Sequence, residues 1–458
     1  MKILVLISLM VCLPIVAFAQ SSGQRKLFPY AYHIDDLPNG LRLVTVPTDY
    51  PNLVALYIVV QAGSRNEIEP GKTGFAHFFE HMMFRGSENY TSDQREAIFK
   101  RAGAETNAYT SDDRTVYHAT FSKEDLDEIM KMEADRFKHL KYALPEFRTE
   151  ALAVKGEYDK NSTTPIRQLF ERLRETAFKE HTYSHTTMGF LKDIEDMPNQ
   201  YDYSWEFFNR FYRPEYTTIV LVGDVTRQGA LDLTKKYFGD WKRGSYVAKI
   251  PAEPKQTGPR TAHLDFPSPT LPMVAVAFRG PAYSDTAKDK MALDFLAQIA
   301  FGPNSELYQR LVLKEQKVDT FGPSFGNQVD PELFTVLARV KDPKDVDYVR
   351  DQILATFKRF TTELIPQAKL DATRSRLRYS FAMAMNSSDA IAGTLAPFIA
   401  LKRSPDTIDK LAALMETITP QDVRDIAAKY FVDNNRTIVT LATKPKETAK
   451  AESKGGVN

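Results

Sequence analysis

The chain of 458 residues contains a single cysteine, Cys12. It sits in a mostly apolar stretch, residues 3–16, between Met1-Lys2 and the triplet Ala17-Phe18-Ala19. A charged start, a short apolar run and a small-x-small triplet form the pattern of an export signal, with cleavage expected after Ala19. Val11, before Cys12, is not the small residue that lipoprotein processing requires, and the run is short for a membrane span. Once residues 1–19 are removed, no cysteine remains. That excludes disulfides and thiolate metal sites, so any metal must be held by His, Asp or Glu. A cysteine-free exported chain of this size, long enough to bury cores without staples, is expected in the bacterial periplasm, with secretion as the alternative.

Charge of one sign is also missing. Sixty basic and 59 acidic residues leave a net charge of +1. There is no basic excess to hold nucleic acid or an anionic membrane. Beyond the signal the apolar runs, such as residues 53–60, are only strand-sized, so no membrane contact is expected after cleavage.

The organisation is that of two similar halves. Residues 244–260 (GSYVAKIPAEPKQTGPR) have no periodic apolar pattern and read as a linker. They separate an N-terminal domain, 20–243, from a C-terminal domain, 261–443, with a flexible tail at 444–458. Apolar strands are expected at 53–60 in the first half and 273–278 in the second. A helix ending in aromatics and leading into a β-branched strand occurs at 208–222 and again at 428–441. Amphipathic helices are expected over 123–141 and 345–364. The class is α+β, each domain a mainly antiparallel sheet covered by helices.

The most informative stretch is His77-Phe78-Phe79-Glu80-His81. At about 100° per residue, His77 and His81 are offset by roughly 40° on a helix, so both imidazoles can reach one ion. Glu80 stands at the edge of that face, where it can reach a metal-bound water without being a ligand. This is the His-x-x-Glu-His arrangement of the inverted zinc peptidases. A catalytic zinc needs a third protein ligand and an open position. Glu150 and Glu157, seven residues apart, fall within roughly 20° of one helix face. Glu157 is the expected ligand and Glu150 an outer carboxylate that holds a histidine or water; Asp159 is a weaker rival. A second pair, His181 and His185, lies in a segment that reads as a loop and has no adjacent glutamate.

Residues 74–86 (GFAHFFEHMMFRG) resemble the active-site helix of the pitrilysin and mitochondrial-processing-peptidase family. In that family the third ligand follows the second histidine by some 75 residues as the later glutamate of a Glu-x6-Glu pair. Glu157 lies 76 residues after His81 and follows Glu150 in that spacing. Asn107-Ala108-Tyr109-Thr110 and the following 115–117 resemble the family's edge strand, 181–189 a substrate-side loop and 211–225 a closing strand. The resemblance covers nearly the whole chain after the signal. It implies a zinc metalloendopeptidase of the short, two-domain type, one Zn2+ per chain at His77, His81 and Glu157. It also implies Glu80 as catalytic base, Asn107, Ala108 and Tyr109 as substrate-binding residues, and a closed chamber for peptides or short unfolded polypeptides.

One departure stands out. Active short members carry an Arg and a Tyr in a segment like Leu-Arg-Glu-Lys-x-Gly-Leu-x-Tyr. Residues 311–319 (LVLKEQKVD) align there, with Val312 at the Arg position and Asp319 at the Tyr position; Arg310 and Lys317 are shifted. The resemblance therefore implies a zinc-bearing subunit that needs a homologous partner carrying the Arg/Tyr pair, a heterodimer. The alternatives are a non-catalytic assembly subunit, or a self-sufficient homodimer in which Arg310 or Lys317 does the electrophilic work.

Overall fold

A computed structural model of the protein describes residues 26–445. The expected export signal and all but the first two residues of the expected tail lie outside the described residues. Among the described residues, no helix is long and apolar enough to cross a membrane.

Two mixed sheets carry the fold. The first has six strands, in the order β1-β2-β6-β3-β5-β4, with β1 His33–Asp36, β2 Arg42–Pro47, β3 Leu53–Val60, β4 Glu105–Thr110, β5 Thr115–Ser122 and β6 Thr217–Gly223. The second has five, in the order β7-β11-β8-β10-β9, with β7 Arg260–Phe266, β8 Met273–Arg279, β9 Val318–Ser324, β10 Leu333–Val340 and β11 Arg436–Thr443. Apart from β1, the two follow one plan. The opening strand pairs in parallel with the closing strand, as β2 with β6 and β7 with β11. The closing strand pairs antiparallel with the second, as β6 with β3 and β11 with β8. The expected repeat is present, and the strands expected at 53–60 and 273–278 occupy equivalent central places. The expected amphipathic helices are α3 of the first half, Leu126–Lys138, and its counterpart Val346–Phe360.

The central strands of both sheets are covered on both faces, which is why they are apolar throughout rather than alternating, as the outer strand β7 does. In β3, Val54, Leu56, Ile58 and Val60 enter the main N-terminal core, while Ala55, Tyr57 and Val59 enter a second core on the other side. That second core is closed by Ile391, Leu395 and Ile399 of the helix Ser388–Lys402, from the C-terminal half. The converse holds for β8: Met273, Ala275 and Ala277 pack against Leu169 and Leu173 of a helix from the N-terminal half, Pro165–Ala177. Each half thus lends a helix to the other's sheet. Burying each of those leucines contributes about 1.5–3 kcal/mol, so the two halves are joined by core packing as well as by the chain.

Candidate metal centre

The short helix α1, Phe75–Met82, divides its residues by face. Phe75, Phe78, Phe79 and Met82, at i, i+3, i+4 and i+7, are buried in the N-terminal core. Phe79 stacks on Phe207 at 5.7 Å and Phe78 meets Phe147 at 5.0 Å. His77, Glu80 and His81 are left on the opposite side. The start of the helix is fixed from two directions. Glu67, fully buried, accepts hydrogen bonds from the amides of Gly74 (2.7 Å) and Ala76 (2.8 Å). That carboxylate satisfies amide donors that a helix start otherwise leaves open, although burial pushes its pKa up to about 8. Gly74 has φ = 92°, and a Cβ there would lie 2.3 Å from Ile194 Cδ1. Only glycine fits.

Helix α4, Leu144–Ser162, packs against α1 and brings the glutamates to the histidines. Glu157 Oε2 lies 3.3 Å from His81 Nε2 and 3.6 Å from His77 Nε2. Asn161 donates to the other oxygen, Oε1, at 3.3 Å. Among the described residues, His77, His81 and Glu157 are the one group of three whose ligand atoms could hold a metal ion. The fit is geometric. Zinc bonds of about 2.0–2.1 Å in a tetrahedron separate ligand atoms by about 3.3–3.4 Å, close to both measured distances. Burial, followed by the neighbouring His81, pulls the pKa of His77 down to about 4, which keeps its imidazole neutral and its lone pair available. The donor set, two imidazoles and a carboxylate with no thiolate, suits zinc.

Around these three stand further groups. Glu150 Oε2 is 3.6 Å from His81 Nδ1, and Arg85 Nη2 lies against Glu150 Oε1. Burial works to raise the pKa of Glu150 and is outweighed by His81 and Arg85, so it falls below the usual value; the Glu150 contact in turn raises His81. Glu80 shares a cavity of about 610 Å³ with His81, Arg85 and Glu150. Its Oε2 accepts a 2.6 Å hydrogen bond from the Thr110 hydroxyl, and burial raises its pKa despite that bond.

Thr110 ends β4, the outer strand of its sheet, whose free edge runs past the α1 end of the site. Asn107, Ala108 and Tyr109 lie on that strand, opposite His118, Tyr117 and Val116 of β5. The Asn107 side chain accepts from the Ala108 amide at 2.9 Å. Asp159, the rival third ligand, turns away to Lys155 at 2.7 Å. His181 and His185 are not brought to the centre: His181 Nε2 meets Asp330 at 2.9 Å, and His185 is buried beside Thr186 and Glu67. In the second half, Arg310 is engaged with Gln352, Lys317 with Asp345 at 2.6 Å, and Asp319 with Arg339 at 2.8 Å.

Four partners of the site were not singled out from sequence: Glu67, Arg85, Thr110 and Asn161. Glu67 and Thr110 come from loop and strand segments with no periodic signal toward α1. Asn161 follows Glu157 by four positions on α4, the spacing of helical neighbours, and that signal was available, whereas Arg85 lies past the end of α1 and meets Glu150 of another element.

Comparison with known proteins identifies the family and the fold. The family described as Insulinase (Peptidase family M16) matches residues 42–190, and the one described as Peptidase M16 inactive domain matches 200–377. The zinc protease PqqE of Helicobacter pylori is 29% identical over 412 residues, covering 88% of this chain and 91% of that protein. A probable mitochondrial-processing peptidase subunit beta of Schizosaccharomyces pombe is 24% identical over 87% of this chain and 88% of its own. Among solved structures, a protease from Helicobacter pylori superposes with a TM-score of 0.84 at 29% identity, over 91% of this chain and 100% of that one. The periplasmic protease PqqL of Escherichia coli matches with a TM-score of 0.73 at 18% identity, over 91% of this chain but 48% of that one.

Proposed function

The chain belongs to peptidase family M16, and from that premise we propose that it is the zinc-bearing subunit of a metalloendopeptidase, exported to the periplasm. The observation that carries this reading is the convergence of His77 Nε2, His81 Nε2 and Glu157 Oε2 within one ligand set. One zinc per chain would be held by these three residues, leaving a position open to solvent. When bound there it supplies Lewis acidity toward an attacking water and toward the scissile carbonyl.

The chain's own groups do the rest. Glu80 takes a proton from the attacking water and delivers it to the leaving nitrogen. Thr110 holds the Glu80 carboxylate by its Oε2, leaving the other oxygen for the proton. Glu150 holds His81 by its far nitrogen, and Arg85 holds Glu150. An extended peptide would add to the free edge of β4 along Asn107, Ala108 and Tyr109 by main-chain hydrogen bonds, which tolerate many sequences. The donor for the developing oxyanion would come from outside this chain. Val312 and Asp319 stand where an Arg and a Tyr would serve, and Arg310 and Lys317 are occupied by neighbours in their own half. A homologous partner subunit would supply those groups and close the chamber. The 48% coverage of PqqL leaves room in that longer chain for a second copy of this fold.

The test is metal content followed by turnover. The purified protein should hold one zinc, and Glu80→Gln should keep that zinc while losing about 10²–10⁴ in turnover of unfolded peptides. Metal-free protein, or full activity in the variant, would remove the reading.

A further inference from the structure

The cavity that Glu80 and His81 share extends to Arg95, on the helix α2, Ser92–Arg101. Arg95 is only 7% exposed, yet its Nε and Nη2 atoms meet no hydrogen-bond acceptor among the described residues. The guanidinium lies over the rings of Phe84 (4.7 Å) and Phe99 (5.0 Å). Its nearest acid, Glu133, holds Arg136 through Oε2 and presents only its other oxygen, Oε1, to Arg95 Nε, at 3.8 Å and beyond hydrogen-bond reach. Arg136 has a second acceptor in the Met83 carbonyl at 3.3 Å. Two buried guanidiniums therefore share one buried carboxylate, and the one left short is the one that faces the cavity.

A buried charge that shares a distant partner is costly, and unmade hydrogen bonds add to the cost. Burial, followed by repulsion from Arg136, pulls the Arg95 pKa down to about 9, so the group is still cationic at neutral pH. Of the acids that border the cavity, Glu150 is paired with Arg85 and Glu80 accepts from Thr110, while Asp93 and Glu96 are exposed. Water screens their repulsion of an incoming anion to a fraction of a kcal/mol, whereas the donors of Arg95 are desolvated and gain more from an acceptor.

We propose that Arg95 is a specificity-determining residue that receives a carboxylate of the bound peptide, beside the phenyl ring of Phe84. This rests on the peptidase reading and narrows its substrate class to peptides carrying an acid near the scissile bond. The carboxylate belongs either to an Asp or Glu side chain or to the peptide's own C-terminus.

The experiment uses zinc-loaded, full-length mature protein carrying Glu80→Gln, so that peptides bind without being cut. A labelled neutral peptide is scanned with a single Glu against Gln at each position, with free and amidated C-termini, and affinity is read by fluorescence anisotropy. One position should bind at least about tenfold tighter with Glu than with Gln, or the free C-terminus should do so over the amide. The first outcome identifies a side-chain carboxylate and the second a terminal one. Adding Arg95→Met should erase the preference while neutral peptides bind as before, and Arg95→Lys should retain part of it. If Arg95→Met does not fold, the acid-over-amide preference of the Arg95 protein and its partial survival in Arg95→Lys still decide. Zinc-loaded protein that binds acid and amide peptides equally, or keeps its preference in the Arg95 variants, overturns the carboxylate inference alone. Protein that holds no zinc and binds no peptide overturns the peptidase reading with it.

Discussion

At the scale of single residues, the site is a chain of supports: Arg85 against Glu150, Glu150 against the far nitrogen of His81, Thr110 on Glu80 and Asn161 on Glu157. Removing an outer partner of a metal ligand usually costs tenfold to a hundredfold in metal affinity. Glu150→Gln keeps the shape but loses the charge that orients His81. Its zinc affinity, measured by competition with a chelator, should fall by about 10–100-fold with the fold intact, judged by circular dichroism. Unchanged affinity would reduce Glu150 to a partner of Arg85 only. The His-x-x-Glu-His run and the Glu150/Glu157 spacing were legible in the sequence because both are periodic along one helix. The supports were mostly not. Thr110 reaches Glu80 only because β4 folds beside α1, a contact between segments thirty residues apart. Arg95 is an ordinary charged helix residue by pattern, and only its packing between Phe84 and Phe99 makes it unusual.

At the scale of elements, the segment 244–260, expected as a linker, divides the sequence more cleanly than it divides the packing, and its last residue already belongs to β7. Strand positions could be read because β3 and β8 are continuous apolar runs, but a run buried on both faces does not say whose helix covers the second face. The helix Pro165–Ala177 answers for β8 and Ser388–Lys402 for β3. Leu173→Ala, within the N-terminal half, should therefore loosen the C-terminal sheet, costing about 2–5 kcal/mol and showing as faster amide exchange in β8 and β11. Exchange that changes only around residue 173 would contradict the shared core. The seam also has an ionic clasp. Asp330, from the second half, binds Arg65 and His181 of the first. Burial works to raise its pKa, but the hydrogen bonds from His181 and Arg65 prevail and take it from 3.8 down to about 2. A depressed carboxylate adds stability that is complete above its unfolded value and fades as pH falls through the folded one. That window runs from about 4 down to about 2. Discounted for solvent access, the clasp contributes about 1–2 kcal/mol at neutral pH. Asp330→Asn should lower the urea midpoint at pH 7, and the gap to the parent protein should narrow between pH 4 and pH 3. A gap that does not change with pH would mean that Asp330 acts by packing rather than charge.

At the scale of the whole molecule, two domains of one plan divide into unequal roles. On the proposed function the first half carries the metal ligands and the base, the family match over 200–377 is to a domain described as inactive, and the oxyanion donor comes from a partner. A preorganised donor of that kind is worth about 2.7–4 kcal/mol of barrier, or 10²–10³ in rate. A chain with a metal site but no such donor should bind zinc and peptide yet turn over slowly by itself. Purified alone and zinc-loaded, it should cleave unfolded peptides at least about a hundredfold more slowly than the same chain isolated from its native host together with a bound homologue. The added rate should disappear when the partner's electrophilic Arg or Tyr is replaced, while the zinc content of this chain stays at one. A clean homodimer with full activity would place the missing donor within this sequence, and Arg310→Gln and Lys317→Gln would then show which of the two leaves its present acceptor to serve.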